Sequence, residues 1–192
     1  GNQMRALCHY LDNEDFTNEV INGDVHQRNA DILGVSRPKA KPFLYAFLFG
    51  GGAGKLGLIL SGKRDNKLGA QMKEKFIAGT PGLGQLTSRV QAVLAQTSAN
   101  DAKLGYIPAI DGRKIFTDSD HKALNFLLQS CEAITCKAAV SYMMKKFKEE
   151  NLDVHPLTWY HDEVQLDVAE KDAKRVAQIA AEAFREAPKQ FG

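Results

Sequence analysis

A stripe of cations and aromatics lies in the segment RPKAKPFLYAFLFGG. Arg37, Lys41, Tyr45 and Phe49 are spaced four residues apart, so in a helix they follow one slowly drifting line. At about 1.5 Å of rise per residue the line is about 18 Å long, comparable to an extended nucleoside triphosphate. Cations suit phosphates, and flat apolar rings suit a sugar and a base. For this segment alone, the simpler interpretation is a solvated cationic helix end whose aromatics lie in the core, and the alternative is a nucleotide-binding surface.

The segment WYHDEVQ contains a carboxylate in an unusual place. If one strand alternates without interruption, Asp162 shares a face with Tyr160, Val164, Leu166 and Val168. A buried bare carboxylate then needs a metal ion, an arginine or a proton. If His161 and Asp162 form a hairpin turn, Asp162 is displayed at its tip. An ordinary turn aspartate is the simpler interpretation of this segment alone.

A row of hydrogen-bonding side chains lies on a long predicted helix. His121, Asn125 and Gln129 are spaced four residues apart in HKALNFLLQS. They form either a solvated face or a row that contacts base edges and sugars. Every base pair offers acceptors in the minor groove, so such donors could test pairing without reading sequence.

A glycine-rich segment, LFGGGAGKLGLIL, resembles a phosphate-binding loop at first sight. The loop pattern requires a glycine five residues before the final glycine and a hydroxyl after the lysine. Phe49 and Leu56 stand at those two positions, so the pattern fails at both ends. We therefore predict that the glycines end the preceding helix and act as a turn and hinge.

The elements that carry these residues are predicted to be mostly helical. Asp24 and Ser36 are predicted N-caps, and Pro42 is expected to kink its helix or delay its start. Asp111-Gly112 indicates a β-hairpin, and LTWYHDEVQLDV a second hairpin or strand pair. The predicted helices cover residues 2–11, 13–23, 24–34, 36–49, 53–60, 64–78, 81–98, 120–150 and 171–188.

Composition sets wide bounds on function. The chain has 192 residues, 44% of them hydrophobic, which suits one globular domain or part of a larger one. A net charge of +2 is too small to indicate nucleic-acid binding by itself. The three cysteines lack metal-ligand spacing, so we expect reduced thiols in an intracellular, cytoplasmic protein. No apolar run reaches the ~18 residues of a membrane span, and no membrane partner is expected.

Together and in this order, the motifs resemble family A DNA polymerases, the bacterial polymerase I-like group, and especially its phage-type replicative members. RPKAKPFLYAFLFGG resembles the fingers-helix motif R-x3-K-x3-[FY]-x3-[YF]-G, and WYHDEVQ resembles the palm motif H-D-E. DGRKIFTDSDHKALNFLLQS resembles the segment that joins the fingers to the primer-contacting helix, and GNQMRALCHYL the tail of the first palm motif. The resemblance covers nearly the whole chain.

The resemblance implies an α+β, mostly helical fold, in which polymerase fingers helices are joined to part of an antiparallel palm sheet, truncated at both ends. It implies the end of the first palm motif in residues 1–11, fingers in 12–119 and C-terminal palm in 120–192. The aspartate that would complete the metal site is expected three residues before Gly1, and the thumb also upstream. The chain is therefore expected to fold but not to polymerise alone, and to self-associate through an exposed palm sheet edge.

The resemblance also implies a function and a role for each matching residue. The function is template-directed transfer of dNMP from a dNTP to a primer 3′-hydroxyl, with two Mg²⁺ ions and primer–template DNA. The implied catalytic residues are Asp162, Glu163 and Lys41, with Asp162 as the metal ligand. The implied dNTP contacts are Arg37, Lys41 and His26 on the phosphates, Tyr45 on the deoxyribose, Phe49 near the nascent base pair and Gln3 against a 2′-hydroxyl. The implied DNA contacts are Arg113, His121, Asn125, Gln129 and His161.

One paired difference from the family stands out. The family often has Glu where Gln3 stands, hydrogen-bonded to a Tyr where Phe49 stands. Phe49 cannot donate, and a neutral amide avoids an unpaired buried carboxylate. Two alternatives remain open: a non-catalytic nucleic-acid-binding module and a single-subunit RNA polymerase. The second ranks low because the palm motif of those enzymes normally has Ser where Glu163 stands.

Overall fold

The computed structural model describes residues 2–98, 104–160 and 163–192. Within them the chain forms nine α-helices and two antiparallel hairpins, so the predicted mostly helical α+β class is confirmed. The helices are α1 (Asn2–Leu11), α2 (Glu14–Ile21), α3 (Val25–Leu33), α4 (Arg37–Leu48), α5 (Ala53–Ser61), α6 (Asn66–Ala78), α7 (Leu83–Ser98), α8 (Asp120–Glu149) and α9 (Ala173–Glu186). The strands are β1 (Gly105–Pro108), β2 (Lys114–Thr117), β3 (Val154–Tyr160) and β4 (Glu163–Val168). None of the described helices is long and apolar enough to cross a membrane.

The chain divides into two compact units, which are described separately. The first unit comprises the described residues within Gly1–Ala109 and Lys114–Leu128, and the second those within Ile110–Arg113 and Gln129–Gly192. The division into segments 1–11, 12–119 and 120–192 concerns polymerase subdomains and stays a prediction.

Local capping signals fix several helix ends in the first unit. Asn13 accepts a hydrogen bond from the backbone N–H of Phe16, and Asp24 accepts from those of His26 and Gln27. Gly34 ends α3 with φ of +70°, the conformation glycine favours there. Ser36 holds the N-cap position of α4, but its side chain makes no capping bond. Pro42 does not delay α4, which begins at Arg37.

The buried face of α4 anchors it in the first unit. Ala40, Phe43, Leu44, Phe47 and Leu48 are buried there. The ring of Phe76 from α6 packs edge-on against Phe43 and Phe47, with centroids 5.9 and 5.1 Å apart. Such aromatic packing fixes the rotation of α4 and so decides which side chains face outward.

Two glycines let α5 and α6 pack backbone against backbone. A Cβ at Gly57 would lie 1.9 Å from the carbonyl oxygen of Asp65, and one at Gly69 would lie 1.8 Å from that of Ala53. Both distances are far below van der Waals contact, so a side chain at either position would force the helices apart.

Replacing Gly69 by Ala is therefore expected to destabilise the chain by about 3 kcal/mol, the upper end of the usual cost of overpacking. The measurement is urea unfolding followed by circular dichroism. Gly52→Ala is the matched control, because a Cβ there meets nothing within 4 Å. Equal stability of the two variants would contradict the close approach of α5 and α6.

The second unit packs α9 and the β3–β4 hairpin on the C-terminal part of α8. The buried cluster joins side chains of α8 and α9, and apolar side chains of both strands pack against it. Its buried members are Ala139, Met143, Phe147, Val176, Ile179, Ala183 and Ala187. The apolar face of the amphipathic helix α9 thus covers this buried cluster.

The segment LTWYHDEVQLDV forms a hairpin rather than one strand. β3 and β4 are antiparallel, pair Val154 with Val168 and Tyr160 with Glu163, and shift register between Pro156 and Thr158. The continuous strand that would put residues 160–168 on one alternating pattern is therefore wrong. His161 and Asp162, which join the two strands, lie outside the described residues.

Candidate nucleotide-binding site

The stripe of α4 lies beside the buried face of the helix and remains accessible. Arg37 and Lys41 are exposed, Tyr45 is half-buried and the ring of Phe49 is 45% exposed. The rings of Tyr45 and Phe49 lie 6.1 Å apart, and Phe49 caps the C-terminus of the helix. The aromatics are therefore not ordinary core residues, and cations and rings share one accessible surface of the first unit.

His26 on α3 lies beside this surface. Its ring centroid is 6.1 Å from that of Tyr45, and its Nδ1 is buried with no hydrogen-bond partner among the described residues. Burial lowers the pKa of His26 below its ordinary value, and the charges of Lys41 and Arg37 lower it further. The imidazole is thus neutral at pH 7 and able to exchange hydrogen bonds with a ligand.

Arg37 is held by a carboxylate that sequence analysis treated only as a helix cap. Its Nε donates to Oδ2 of Asp24 at 2.7 Å and its Nη2 donates to Oδ1 at 3.2 Å. The guanidinium of Arg37 holds the pKa of Asp24 below its usual value. The only sequence signal for the pair was Asp24 at the start of the helix that carries His26.

The two lysines of α4 have different surroundings. Lys39 donates from Nζ to the carbonyl oxygen of Leu60 at 2.6 Å, near the C-terminus of α5. In the described part of the chain, no carboxylate oxygen lies within ion-pair distance of Lys41. Lys41 is therefore the lysine of α4 that is available to an anion.

Gln3 and Phe49 belong to different elements, α1 and the C-terminal end of α4. Gln3 lies half-buried on α1, and no described hydrogen bond or ring contact links it to Phe49.

The glycine segment follows α4 and packs on the start of α8. Gly50 has φ of +74°, and a Cβ there would lie 2.5 Å from the backbone oxygen of His121. Gly52 then caps α5, so the predicted turn is confirmed, whereas the hinge stays a prediction. A pocket lined by Phe47, Lys73 and His121 opens beside these glycines.

The predicted DNA contacts are accessible but spread over both units. His121 and Asn125 lie in the first unit, exposed and half-buried, and Gln129 is exposed in the second. Arg113 forms an ion pair with Asp111 at 2.6 Å that lowers the pKa of Asp111. The fifth predicted contact, His161, lies outside the described residues.

Of the two adjacent carboxylates predicted to be catalytic, Asp162 and Glu163, only Glu163 lies among the described residues. Glu163 begins β4, is exposed, and accepts a hydrogen bond from Gln165 at 2.7 Å. Within residues 2–98, 104–160 and 163–192, no cluster of three or more potential metal ligands occurs. Asp162, the predicted ligand, lies outside the described residues, so its role stays a prediction.

Comparison with known proteins decides the family. The sequence model of the family described as DNA polymerase family A matches residues 2–191. The chain belongs to DNA polymerase family A. Its family A relatives include the DNA-directed DNA polymerases of Enterobacteria phage T3 and Escherichia phage T7, each 34% identical over 203 aligned residues that cover 96% of this chain. The DNA polymerase I of Geobacillus stearothermophilus is 24% identical over 200 residues.

These alignments cover only part of each family A relative. The chain spans 29% of the length of the two phage polymerases and 23% of the bacterial one. Among solved structures, the POL domain of Pol1 from M. smegmatis, in complex with DNA primer-template and dNTP, matches with a TM-score of 0.81 and 19% identity. That match covers 97% of this chain and 35% of the other and shows a shared fold. The sequence resemblance to family A and to its phage members is confirmed.

Proposed function

We propose that the chain carries the nucleotide-binding surface of a DNA-directed DNA polymerase, which transfers dNMP from a dNTP to a primer 3′-hydroxyl. The observation that carries the proposal is the exposed stripe of α4, with the ring of His26 beside Tyr45. The phage relatives are named DNA-directed DNA polymerases, which supports it. The fingers would lie in residues 12–119, and the palm in residues 1–11 and 120–192.

The side chains of α4 would act by position and charge. Arg37 and Lys41 would bind the triphosphate and stabilise the charge that develops on the leaving pyrophosphate. The neutral His26 would add a hydrogen bond to the same phosphates. Tyr45 would pack on the deoxyribose and Phe49 near the new base pair, while Gln3 would exclude a 2′-hydroxyl by its bulk. This division follows the order of cations and rings along the helix.

Carboxylates at the β3–β4 connection would supply the metal site. Asp162 would hold Mg²⁺ with Glu163 beside it, because hard oxygen donors are the ligands that Mg²⁺ prefers. Two bound ions would activate the primer hydroxyl and neutralise the pyrophosphate. The exposed carboxylate of Glu163 fits this donor chemistry.

Primer–template DNA would contact a separate set of side chains. His161 would support the primer end, and Arg113, His121, Asn125 and Gln129 would face the duplex. Their amide, imidazole and guanidinium donors suit the acceptors that every base pair presents in the minor groove.

The proposed function is tested by a chimaera in which residues 2–191 replace the matched segment of the phage T7 relative. We expect templated extension of a labelled primer, because the relative supplies the regions that this chain does not align with. A chimaera that folds and binds primer–template without extending it would favour the non-catalytic nucleic-acid-binding module instead.

The affinity for dNTP is expected to rise as the pH falls from about 8 toward about 6. A triphosphate beside His26 favours the imidazolium, so its pKa rises on binding and protons are taken up. Titrations of dATP into the chain at several pH values measure this effect. His26→Gln is the control, because only the titration of the nucleotide itself remains in it. Equal pH dependence in both proteins would contradict a phosphate contact by His26.

We also propose that β3 mediates self-association. Within the described residues β3 pairs only with β4, and its Leu157 is 66% exposed. Light scattering is expected to give a mass above that of the monomer. Leu157→Lys is expected to lower this mass, because a lysine on an edge strand opposes pairing with another strand. Leu104→Lys, at a leucine 48% exposed elsewhere, is the control and should change nothing.

A further inference from the structure

One carboxylate links the start of α3 to the start of α4. Oδ1 of Asp24 accepts hydrogen bonds from the backbone N–H groups of His26 and Gln27 at 3.0 and 3.1 Å. The same carboxylate receives the two hydrogen bonds from Arg37. Asp24 thus touches the backbone of one proposed phosphate-binding residue and the side chain of another.

We propose that Asp24 is a positioning residue for the nucleotide: it holds Arg37 by one edge of the guanidinium and leaves the other edge free for the triphosphate. This inference rests on the proposed function, because it assigns Asp24 a task at the same site.

The geometry of the pair leaves enough donors for a phosphate. A guanidinium carries five N–H groups, and Asp24 uses the one on Nε and one on Nη2 of Arg37. Both N–H groups of Nη1 and the second of Nη2 remain, and they form another fork that suits a phosphate. Asp24 therefore directs Arg37 without occupying its whole donor set.

The pair is placed for binding rather than for stability. The side chains of Arg37 and Asp24 are 48% and 46% exposed, and an exposed ion pair contributes little to folding. A free arginine samples many rotamers, and a ligand must restrict them on binding. An arginine that Asp24 already holds loses less conformational entropy, which raises the affinity for the ligand.

A competing role of Asp24 would have the opposite effect on nucleotide affinity. A carboxylate near the phosphates repels them and offsets the charge of Arg37, so a competing Asp24 would weaken binding. The two roles differ in sign: removal of the charge weakens nucleotide binding if Asp24 positions Arg37, and strengthens binding if it competes.

The test is a double-mutant cycle on dATP binding by the 192-residue chain, measured by calorimetry. Asp24→Asn keeps an oxygen that caps α3 but removes the charge and one acceptor of the fork. We expect the dissociation constant of dATP to rise roughly 3- to 10-fold in Asp24→Asn, because the side chain of Arg37 must then be immobilised when the nucleotide binds. Arg37→Ala should weaken binding further, and Asp24→Asn should add nothing in the Arg37→Ala background.

Asp65→Asn is the matched control. Asp65 caps α6 by accepting from the backbone N–H of Leu68, so it undergoes the same chemical change away from the stripe. Its variant should bind dATP as the unmodified chain does. A second readout, without nucleotide, is the NMR signal of the Arg37 Nε–H, which should lose its protection from exchange in Asp24→Asn and keep it in Asp65→Asn.

The outcomes separate this inference from the proposed function. Tighter or unchanged binding by Asp24→Asn would overturn the positioning role, as would an equal weakening in the presence and absence of Arg37. Failure of the unmodified chain to bind dATP, or no effect of Arg37→Ala, would overturn the proposed function and this inference with it.

Discussion

Replacement of Asp162 by Asn in the chimaera with the phage T7 relative is expected to lower nucleotide transfer on the order of a thousandfold. An amide binds Mg²⁺ more weakly than a carboxylate and does not neutralise its charge, so both the position and the electrostatic effect of the ions are lost. Single-turnover primer extension at saturating dNTP measures the loss. Binding of primer–template should stay within about twofold, because the substitution removes a negative charge and no DNA contact.

Asp167→Asn provides the comparison for this variant. Asp167 is exposed on β4 and pairs opposite His155, so it undergoes the same change in the same hairpin. It should retain normal turnover. Near-normal turnover by Asp162→Asn, or an equal loss in Asp167→Asn, would remove Asp162 from the metal site.

Replacement of Lys41 by Ala is expected to lower kcat of the chimaera by about 100- to 1000-fold. In the proposed function the ammonium would contact the leaving pyrophosphate, and loss of one such group at a site of developing charge has an effect of this size. Steady-state primer extension over a range of dNTP concentrations separates kcat from KM.

Lys39 lies two residues away on α4 and has a different task. Its hydrogen bond to the carbonyl oxygen of Leu60 ties α4 to α5, so Lys39→Ala should lower the unfolding midpoint and leave kcat unchanged. If Lys39→Ala lowers kcat as much as Lys41→Ala does, the loss reflects damage to the helix rather than a missing phosphate contact.

Local sequence was sufficient for most of the helices and for the family. Asp24, Gly34 and the glycines after Phe49 act within a few residues of their own position, so capping and turn rules located the ends of α3 and α4. The four-residue spacing from Arg37 to Phe49 needed only a helix to align the side chains. Ordered motifs do not depend on packing, and the family they indicated is confirmed.

Some features depend on which elements pack together, and sequence analysis missed them. The ion pair of Asp24 with Arg37 and the bond from Lys39 to Leu60 each join residues of different elements. The backbone contact at Gly57 and Gly69 exists because α5 lies against α6. No local rule contains such distances, since they follow from the fit of buried faces.

The sequence by itself determined the mostly helical class and the family, and it predicted the side chains that would bind a nucleotide. Only the tertiary structure decided that α4 turns its stripe outward, because Phe43 and Phe47 are locked against Phe76 on the other side. It also decided that β3 and β4 pair as an antiparallel hairpin rather than form one continuous strand, because cross-strand pairing selects one of the two alternations that the sequence left open. Periodicity gives the faces of an element, and packing decides which face is buried.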